Sequence, residues 1–573
     1  MSTSPHRRNG AAQGQSLGCR RWHPLLAALG LAALAWLVFL PALANDFVNW
    51  DDDVYVVDND AVQAADGWRH IWSTLELPEH FPNYPVVFTS FWLEYRFWGL
   101  NPSGYHATNV VLHGVNAALV FWLALALGGT PWIASLTAVL FAVHPMQVES
   151  VAWITERKNV LSAFFGLAAF LAYLRHRTTN LWRWYLVSLG AFVCALLSKT
   201  ALLVLPLSML LADYFRAGRW SVGSVRRLAP LFVLGLAAGL LTVTVESRPA
   251  SVPLLARPSL AAACLWFYAG KLVVPLGLSP VYPRWDVSLT QIRWWLPLIG
   301  VLVAAGLVYR WGRDPRQRWG LAHFACMLLP ALGLRPYGFN EYSFVADRHV
   351  YLASVGLFLV LAIALDRLRA VAGRQVQLLA CLVGASLIGL TWKQIPLWRD
   401  PVTLWSKVLV GNPGALVARN NLGMALIDRG RLDEAAYELQ AELALKPDDA
   451  NVHNNLALVF YRKGDFRAAE YHCRQALVVE PGAAGFHKNL GLALQSQGQL
   501  AAAEAELRRA LELQLDPGYH YLLASLLIAE GRSSEAAAQL DAALQLRPDF
   551  TDARDMLVKL RGQQPWVRES LAR

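Results

Sequence analysis

Cysteine is scarce in this chain and never paired. Its six copies, Cys19, Cys194, Cys264, Cys326, Cys381 and Cys473, stand singly, mostly inside apolar runs, with no CxxC or metal-ligand spacing among them. That excludes a disulfide framework and a cysteine-built metal site, and leaves them as packing residues. Charge is scarce as well. Only 16% of the residues are Asp, Glu, Lys or Arg, while 55% are hydrophobic. At a mean hydropathy of +0.33, a soluble enzyme of 573 residues is excluded, because one aqueous domain cannot hide so large an apolar fraction.

What is present is a series of apolar runs, from about residue 26 to residue 392, long enough to cross a bilayer. The chain is predicted to be an all-α polytopic membrane protein. Its 23 tryptophans and 18 tyrosines suit the interfacial belts, where an apolar ring with one polar atom sits at headgroup level. The net charge of +10 is unevenly divided: residues 1–400 carry 32 Lys and Arg against 20 Asp and Glu, and residues 401–573 carry 19 against 21. The basic excess belongs to the membrane part. It reports topology, and no nucleic-acid partner is implied.

The first run, 25–44, follows Arg7, Arg8, Arg20 and Arg21. The positive-inside rule therefore puts the tail 1–24 in the cytoplasm, and the many later spans make the run a retained anchor and not a cleaved signal. Residues 45–105 hold ten acidic residues and only Arg69 and Arg96 as strong bases, which marks an outer loop. Further spans are expected near 106–127, 132–144, 159–174, 183–197, 201–215, 229–245, 293–309, 319–334, 350–365 and 376–392. This parity leaves the basic segments 175–183, 216–227, 310–320 and 366–374 inside. It requires 259–278, with its Lys271 and Pro275, to be re-entrant or interfacial. Eleven crossings then put everything beyond about residue 395 outside.

From Pro401 the composition turns soluble and a period of 34 appears. Asn421, Asn455 and Asn489 recur at that interval, as do Gly430, Gly464 and Gly498, and Ala435, Ala469, Ala503 and Ala537, with Pro413, Pro447 and Pro481 closing the units. Glycine ends the first helix of each pair, alanine lets the second pack closely, and proline stops it. Residues 401–560 are read as about four tetratricopeptide repeats, a solenoid whose concave face takes peptides or serves as a scaffold. Asn421, Asn455 and Asn489 are candidate peptide-binding residues; equally, they could tie neighbouring helices together.

Three consecutive carboxylates, Asp51, Asp52 and Asp53, open the first outer loop. Other polar segments share that side. One runs from His144 to Asn159, with Glu149, Glu156, Arg157 and Lys158; another from Leu334 to Gly356, with Arg335, Tyr337, Asp347, Arg348 and Tyr351; a third contains Arg284 and Asp286. Guanidinium and ammonium groups beside carboxylates are what an enzyme needs to hold a lipid phosphate next to an acceptor hydroxyl. His144 has no second metal ligand at suitable spacing and is read as a cap or packing residue.

The stretches "WDDDVYVVDN", "HPMQVESVAWITERKNVLSAFF", "SKTALLVLPL" and "ADRHVYLASVGLF", in that order and followed by the repeats, resemble the transmembrane and tetratricopeptide repeat-containing O-mannosyltransferase family. The resemblance covers most of residues 25–550. It implies a GT-C glycosyltransferase fold over 25–395, a polyprenyl-phosphate-linked sugar donor (mannose first among sugars), and transfer to protein on the non-cytoplasmic side. The family's acidic pair falls on Asp51 and Asp52, with Asp53 leaving the register open. His349 stands where a tyrosine is common and Ala353 where a proline is, departures that bear on the donor site.

On this reading Asp51 or Asp52 takes the proton of a Ser or Thr hydroxyl as it attacks the anomeric carbon, and the second carboxylate orients the first or raises its pKa. Phosphate is already a good leaving group and needs cations more than an acid, so Arg348, Arg157, Lys158 and Arg335 are the candidate donor-phosphate ligands. Asp53, His144, Glu149, Glu156 and Tyr351 complete the candidate site. The expected reaction is a single inverting displacement that requires no cofactor, though the acidic pair could recruit a divalent cation to the phosphate. Expected partners are the polyprenyl-linked sugar, an acceptor protein or peptide, and membrane lipid, in a bacterial inner membrane with periplasmic repeats or, alternatively, an endoplasmic reticulum membrane. A lipid-linked glycan ligase or polymerase, or a non-enzymatic repeat adaptor, would share parts of this sequence.

Overall fold

In the computed structural model the described residues are 23–74, 84–245 and 252–562; the expected cytoplasmic tail lies outside them except for its last two residues. The described chain is helical throughout and falls into two parts in sequence order.

Helix starts follow local chemistry. Asn101 caps a helix that opens on Pro102, and Thr130 caps one that opens on Pro131, pairing a side-chain acceptor with a residue that has no N–H to leave unsatisfied. Small residues set the closest approaches. Gly114 lies against the Ala32 carbonyl of the first span, and Gly320 and Gly356 face each other so tightly that a Cβ on either would run into the other's backbone, the small-residue packing typical of helices in lipid.

Among the described residues, six helical segments are long and apolar enough to cross a membrane: Pro24–Ala44, Pro102–Ala126, Thr200–Ala217, Val222–Thr244, Ile292–Arg310 and Arg374–Trp398. The bent pair Pro131–Val143 and Pro145–Ala152 would make a seventh. The other four expected spans are helices too: Arg157–Thr179, Trp182–Ser198, Pro315–Leu328 and Ser354–Ala372. They are shorter or carry more polar residues, among them Asn159, Ser162, His323 and Ser354, which are buried against protein. The segment expected to be re-entrant contains a helix, Arg257–Val273.

The charges sort to the two ends of the bundle. At one end Asp213 accepts from Tyr173 and Arg177, Asp314 pairs with Arg316 and Arg367, and Arg316 reaches the Gly128 carbonyl. These contacts tie the basic segment 175–183 to Asp213 and the segment 310–320 to 366–374, and Tyr185 reaches the Arg227 carbonyl of 216–227. The segments around 45–59, 144–159, 334–353 and 395–421 meet at the other end.

Four helix pairs follow the linker helix Pro401–Gly411: Leu416–Asp428 with Leu432–Leu445, Ala450–Arg462 with Phe466–Val479, Ala484–Ser496 with Leu500–Leu513, and Pro517–Ala529 with Ser533–Leu546; Thr551–Gly562 closes the stack. Gly430, Gly464, Gly498 and Gly531 end the first helices with positive φ, the conformation glycine adopts without strain. One register point is corrected. The buried small residue of the fourth pair is Ala536, at 0% exposure, and Ala537 is only partly buried, because the last repeat interval, Gly498 to Gly531, is one residue shorter than 34.

Candidate active site

The three aspartates take three directions, as successive residues of a helical turn must, since each turns about 100° from the last. Asp52 points inward and is 1% exposed. One of its oxygens accepts from the Val48 amide at 2.9 Å and the other from the Thr155 amide at 3.0 Å, which nails the loop to the turn Ile154–Glu156. Burial pushes its carboxyl up to about 7, against the pull of those two N–H donors. Asp51 points across to Lys158, with carboxylate and ammonium 3.0 Å apart and side chains 16% and 12% exposed. Asp53 faces the repeats. Burial first, then Asp58 and Asp428, pushes it up to about 6.

Lys158 belongs to a larger cluster. Glu156 lies 3.4 Å from Lys158, 3.7 Å from Lys199 and 3.6 Å from Arg348. Burial alone would raise its carboxyl, but Lys199, Lys158 and Arg348 hold it below the usual carboxylate range. Glu149 accepts from both the backbone amide and the guanidinium of Arg348. Asn159 donates to Glu156, Ser150 and the Arg348 carbonyl, and accepts from Lys199. Three cations and three carboxylates from four separate segments thus meet at one end of the bundle, inside a protein where each lone charge would be expensive.

Arg348 is also boxed by aromatic rings, with its guanidinium carbon 4.2 Å from the Phe339 centroid, 5.4 Å from Trp50 and 5.5 Å from Trp153. Beside it, burial first and Glu149 second hold the Asp347 carboxyl well above the usual range, and Tyr282 donates to it at 2.7 Å. His349 lies between two phenols, Tyr268 at 3.0 Å and Tyr337 at 3.3 Å. The segment 281–286 enters the site through Tyr282, while Arg284 lies over Phe344.

Several sequence candidates lie elsewhere. Arg157 is fully buried in a forked pair with Glu94, at 3.0 and 3.1 Å, and also donates to Asn109, Ser90 and the Tyr105 carbonyl. It has no face left for a phosphate, and we remove it from the donor ligands. Arg335 is exposed and donates to the Val243 carbonyl at 3.3 Å. His144 caps the turn Pro145–Gln147 by accepting from Met146, and its other nitrogen meets the Leu272 carbonyl. Tyr351 is in an interior network with His113 and Asn116. Asn455 donates to Asn420 and Asn489 to Asn454, both at 2.7 Å and each across a repeat boundary; this is the helix-tying alternative. Asn421 offers its backbone carbonyl to Asn49.

Lys199 was missed as a site residue. The signal was available: it is the one Asp, Glu, Lys or Arg between Arg183 and Asp213, and a lone ionisable group in so long an apolar stretch marks function or a buried partner. Among the described residues no three His, Cys, Asp or Glu side chains are grouped as metal ligands. The groups able to hold an anion are Lys158, Lys199 and Arg348.

The aspartate loop also carries a bridge to the repeats. Trp50 stacks on Trp153 at 4.8 Å and 17° and meets the edge of Trp405 at 5.0 Å, and Trp153 stacks on Trp398 at 5.2 Å. Asn49 accepts from the Trp405 indole and donates to the Asn421 carbonyl, each at 2.8 Å. A separate recess of about 400 Å³ lies among Val402, Ser406, Leu422, Leu426 and Tyr437, in the linker and first repeat and apart from the charge cluster.

Tetratricopeptide-repeat family models match residues 423–464, 460–526 and 517–550. Over most of its length the chain is homologous to TMTC protein O-mannosyl-transferases. It is 28% identical over 480 residues to protein O-mannosyl-transferase F38B6.6 of Caenorhabditis elegans, covering 78% of this chain and 66% of that protein. It is 27% identical to Tmtc1 of Drosophila melanogaster, covering 75% and 63%, and 27% identical to TMTC4 of Homo sapiens, covering 71% and 64%. The chain thus spans just under two thirds of the length of these relatives. Among solved structures it is similar to TTC0263, a thermophilic TPR protein of Thermus thermophilus, at 26% identity and a TM-score of 0.26, covering 31% of this chain and 95% of that one.

Proposed function

We propose that this homologue of the TMTC protein O-mannosyl-transferases is itself an integral-membrane mannosyltransferase. It moves mannose from a polyprenyl-phosphate donor to a Ser or Thr hydroxyl of a polypeptide, on the extracytoplasmic side of the membrane, with the repeats in the periplasm of a bacterial cell. The observation that carries the reading is the Asp51–Lys158 contact of 3.0 Å, next to the cations Lys199 and Arg348 that share Glu156. A carboxylate able to accept a proton and a set of cations able to hold a phosphate touch one another at the end of the bundle where the repeats begin.

The step balances simply. The acceptor oxygen forms a bond to the anomeric carbon from the face opposite the phosphate, the bond from that carbon to the phosphate oxygen breaks with its electron pair, and the hydroxyl proton goes to Asp51. Lys158, Lys199 and Arg348 compensate the charge that grows on the departing phosphate. Because Lys158 pairs with Asp51, an arriving donor phosphate competes for that ammonium and frees the carboxylate to act as base. Asp52, with both oxygens on backbone amides, acts as the anchor that aims Asp51. No cofactor is needed for this chemistry, since the leaving group is stable as an anion.

The test is mannose transfer from a polyprenyl-phosphate mannose to Ser/Thr peptides by purified full-length protein. Asp51→Asn is expected to lower turnover by about 10²–10⁴-fold while donor binding survives. Lys158→Gln and Arg348→Gln are expected to weaken donor binding first. Full turnover by Asp51→Asn removes this assignment of the base. Transfer to a lipid-linked glycan in place of peptide would replace the acceptor class.

A further inference from the structure

The loop from Asn49 to Asp52 is gripped from two sides. On the bundle side the Asp52 carboxylate is fixed by the Thr155 amide, while its other oxygen accepts from the loop's own Val48 amide. On the repeat side the Asn49 amide is fixed at both of its ends, its oxygen on the Trp405 indole of the linker helix and its nitrogen on the Asn421 carbonyl of the first repeat. Asp51 lies between these grips, and Trp50 between them is held flat on Trp153 with the edge of Trp405 against it. Trp50 and Trp153 are also two of the rings that box the Arg348 guanidinium.

We propose that Asn49 and Trp405 are positioning residues of the transfer site, and that the linker helix and first repeat are structurally part of that site. Resting on the mannosyl-transfer reading above, the proposal assigns to the repeats a second task beside holding acceptor: they set where Asp51 stands relative to Lys158 and Arg348. The chemistry at Asn49 is selective. A side chain must accept from an indole N–H and donate to a carbonyl at once, which an amide does, while a carboxylate lacks the donor and an aliphatic residue lacks both. A shift of Trp50 along the face of Trp153 would move the base next to it and one wall of the Arg348 box together. Displacements of that kind reach the rate of the chemical step without touching substrate.

The experiment uses the full-length protein with Asn49→Ala and Trp405→Phe. Trp405→Phe keeps an aromatic ring against Trp50 while removing the N–H donor together with part of the indole, so it tests the bridge even if Asn49→Ala folds poorly. Expected is a fall in kcat of about 10- to 100-fold, as for a misplaced catalytic group, with KM for donor and for acceptor peptide within about twofold of the wild type. A kcat for Trp405→Phe equal to that of the wild type overturns the proposal, and so does a rise in KM at unchanged kcat, which would make the bridge a substrate-binding element. A second readout needs no turnover. When the loop shifts, Lys158 loses Asp51, and its acylation by an amine-reactive ester, followed by mass spectrometry, is expected to rise several-fold in Trp405→Phe. An unchanged acylation rate overturns the proposal. If the wild type transfers no mannose, the functional reading fails, and the positioning is still decided by Lys158 reactivity.

Discussion

Arg157 and Lys158 are neighbours in sequence with the same sign of charge, and their surroundings differ. The Arg157 guanidinium is fully buried on Glu94, so truncating it leaves a carboxylate without its counter-charge. Arg157→Ala is expected to destabilise the bundle by about 3–5 kcal/mol, whereas replacing both partners with apolar residues, Arg157→Met with Glu94→Leu, is expected to recover most of that loss. Thermal unfolding in detergent checks both; a double variant no more stable than the single one would mean that Asn109, Ser90 and Tyr105 dominate the arginine's contribution. Lys158 is partly exposed and touches Asp51 and Glu156, and on the proposed mechanism its removal is expected to weaken donor binding. The acidity of the loop was legible in sequence, as was the convergence of Glu149, Glu156, Lys158 and Arg348 with it. The division of labour among Asp51, Asp52 and Asp53 was not, because it depends on the Thr155 amide, a backbone group that leaves no mark in a side-chain pattern. Arg157 was misread for a different reason: its side-chain partner Glu94 lies 63 residues away in sequence.

At the scale of elements, the repeats show where periodicity suffices and where it slips. A strict interval of 34 locates the first three pairs and their glycines, and then misplaces the buried alanine of the fourth by one residue, because turn length is free to vary where helix packing is not. Within the first repeat, Glu442 is 2% exposed, and burial first, with Asp449 second, pushes its carboxyl up to about 8 from an ordinary 4.5. A raised carboxyl favours the protonated fold. Its contribution is fully present below pH 4.5 and is lost as pH rises through about 8. The melting temperature of the repeats should therefore fall between these limits more steeply in the wild type than in Glu442→Gln, and the variant should be the more stable of the two at pH 9. Parallel slopes across that window would show that Arg419 and Lys446 already compensate the charge.

For the molecule as a whole, the charge asymmetry counted along the chain corresponds to two physical ends of one bundle. Single cysteines introduced by Ser73→Cys and Ser496→Cys in a cysteine-free background are expected to react with a membrane-impermeant maleimide from the same side, and Arg313→Cys only from the other. Labelling of Ser73→Cys and Ser496→Cys from opposite sides would contradict the contact between loop and repeats. The all-helical plan was legible because lipid forbids unsatisfied polar groups and leaves long apolar runs as the mark of its helices. The number of crossings was not, because helices such as Arg157–Thr179 and Ser354–Ala372 keep polar residues turned toward protein, and hydropathy cannot tell a buried polar face from a wet one.

The bond from Asn49 to Asn421 joins residues 372 positions apart, and that separation has a consequence for how the molecule is made. Ribosomes add roughly 5–20 residues per second, so the aspartate loop is made roughly 20 to 75 seconds before the carbonyl that secures it has been synthesised. Through most of that interval Trp50 has no Trp405 against its edge, and the Asn49 amide has neither of its two partners. On the proposed mechanism the transfer site is therefore complete only when translation has passed the first repeat. A nascent chain that stalls or is truncated before Asn421 has made its aspartate loop but lacks the carbonyl that secures Asn49.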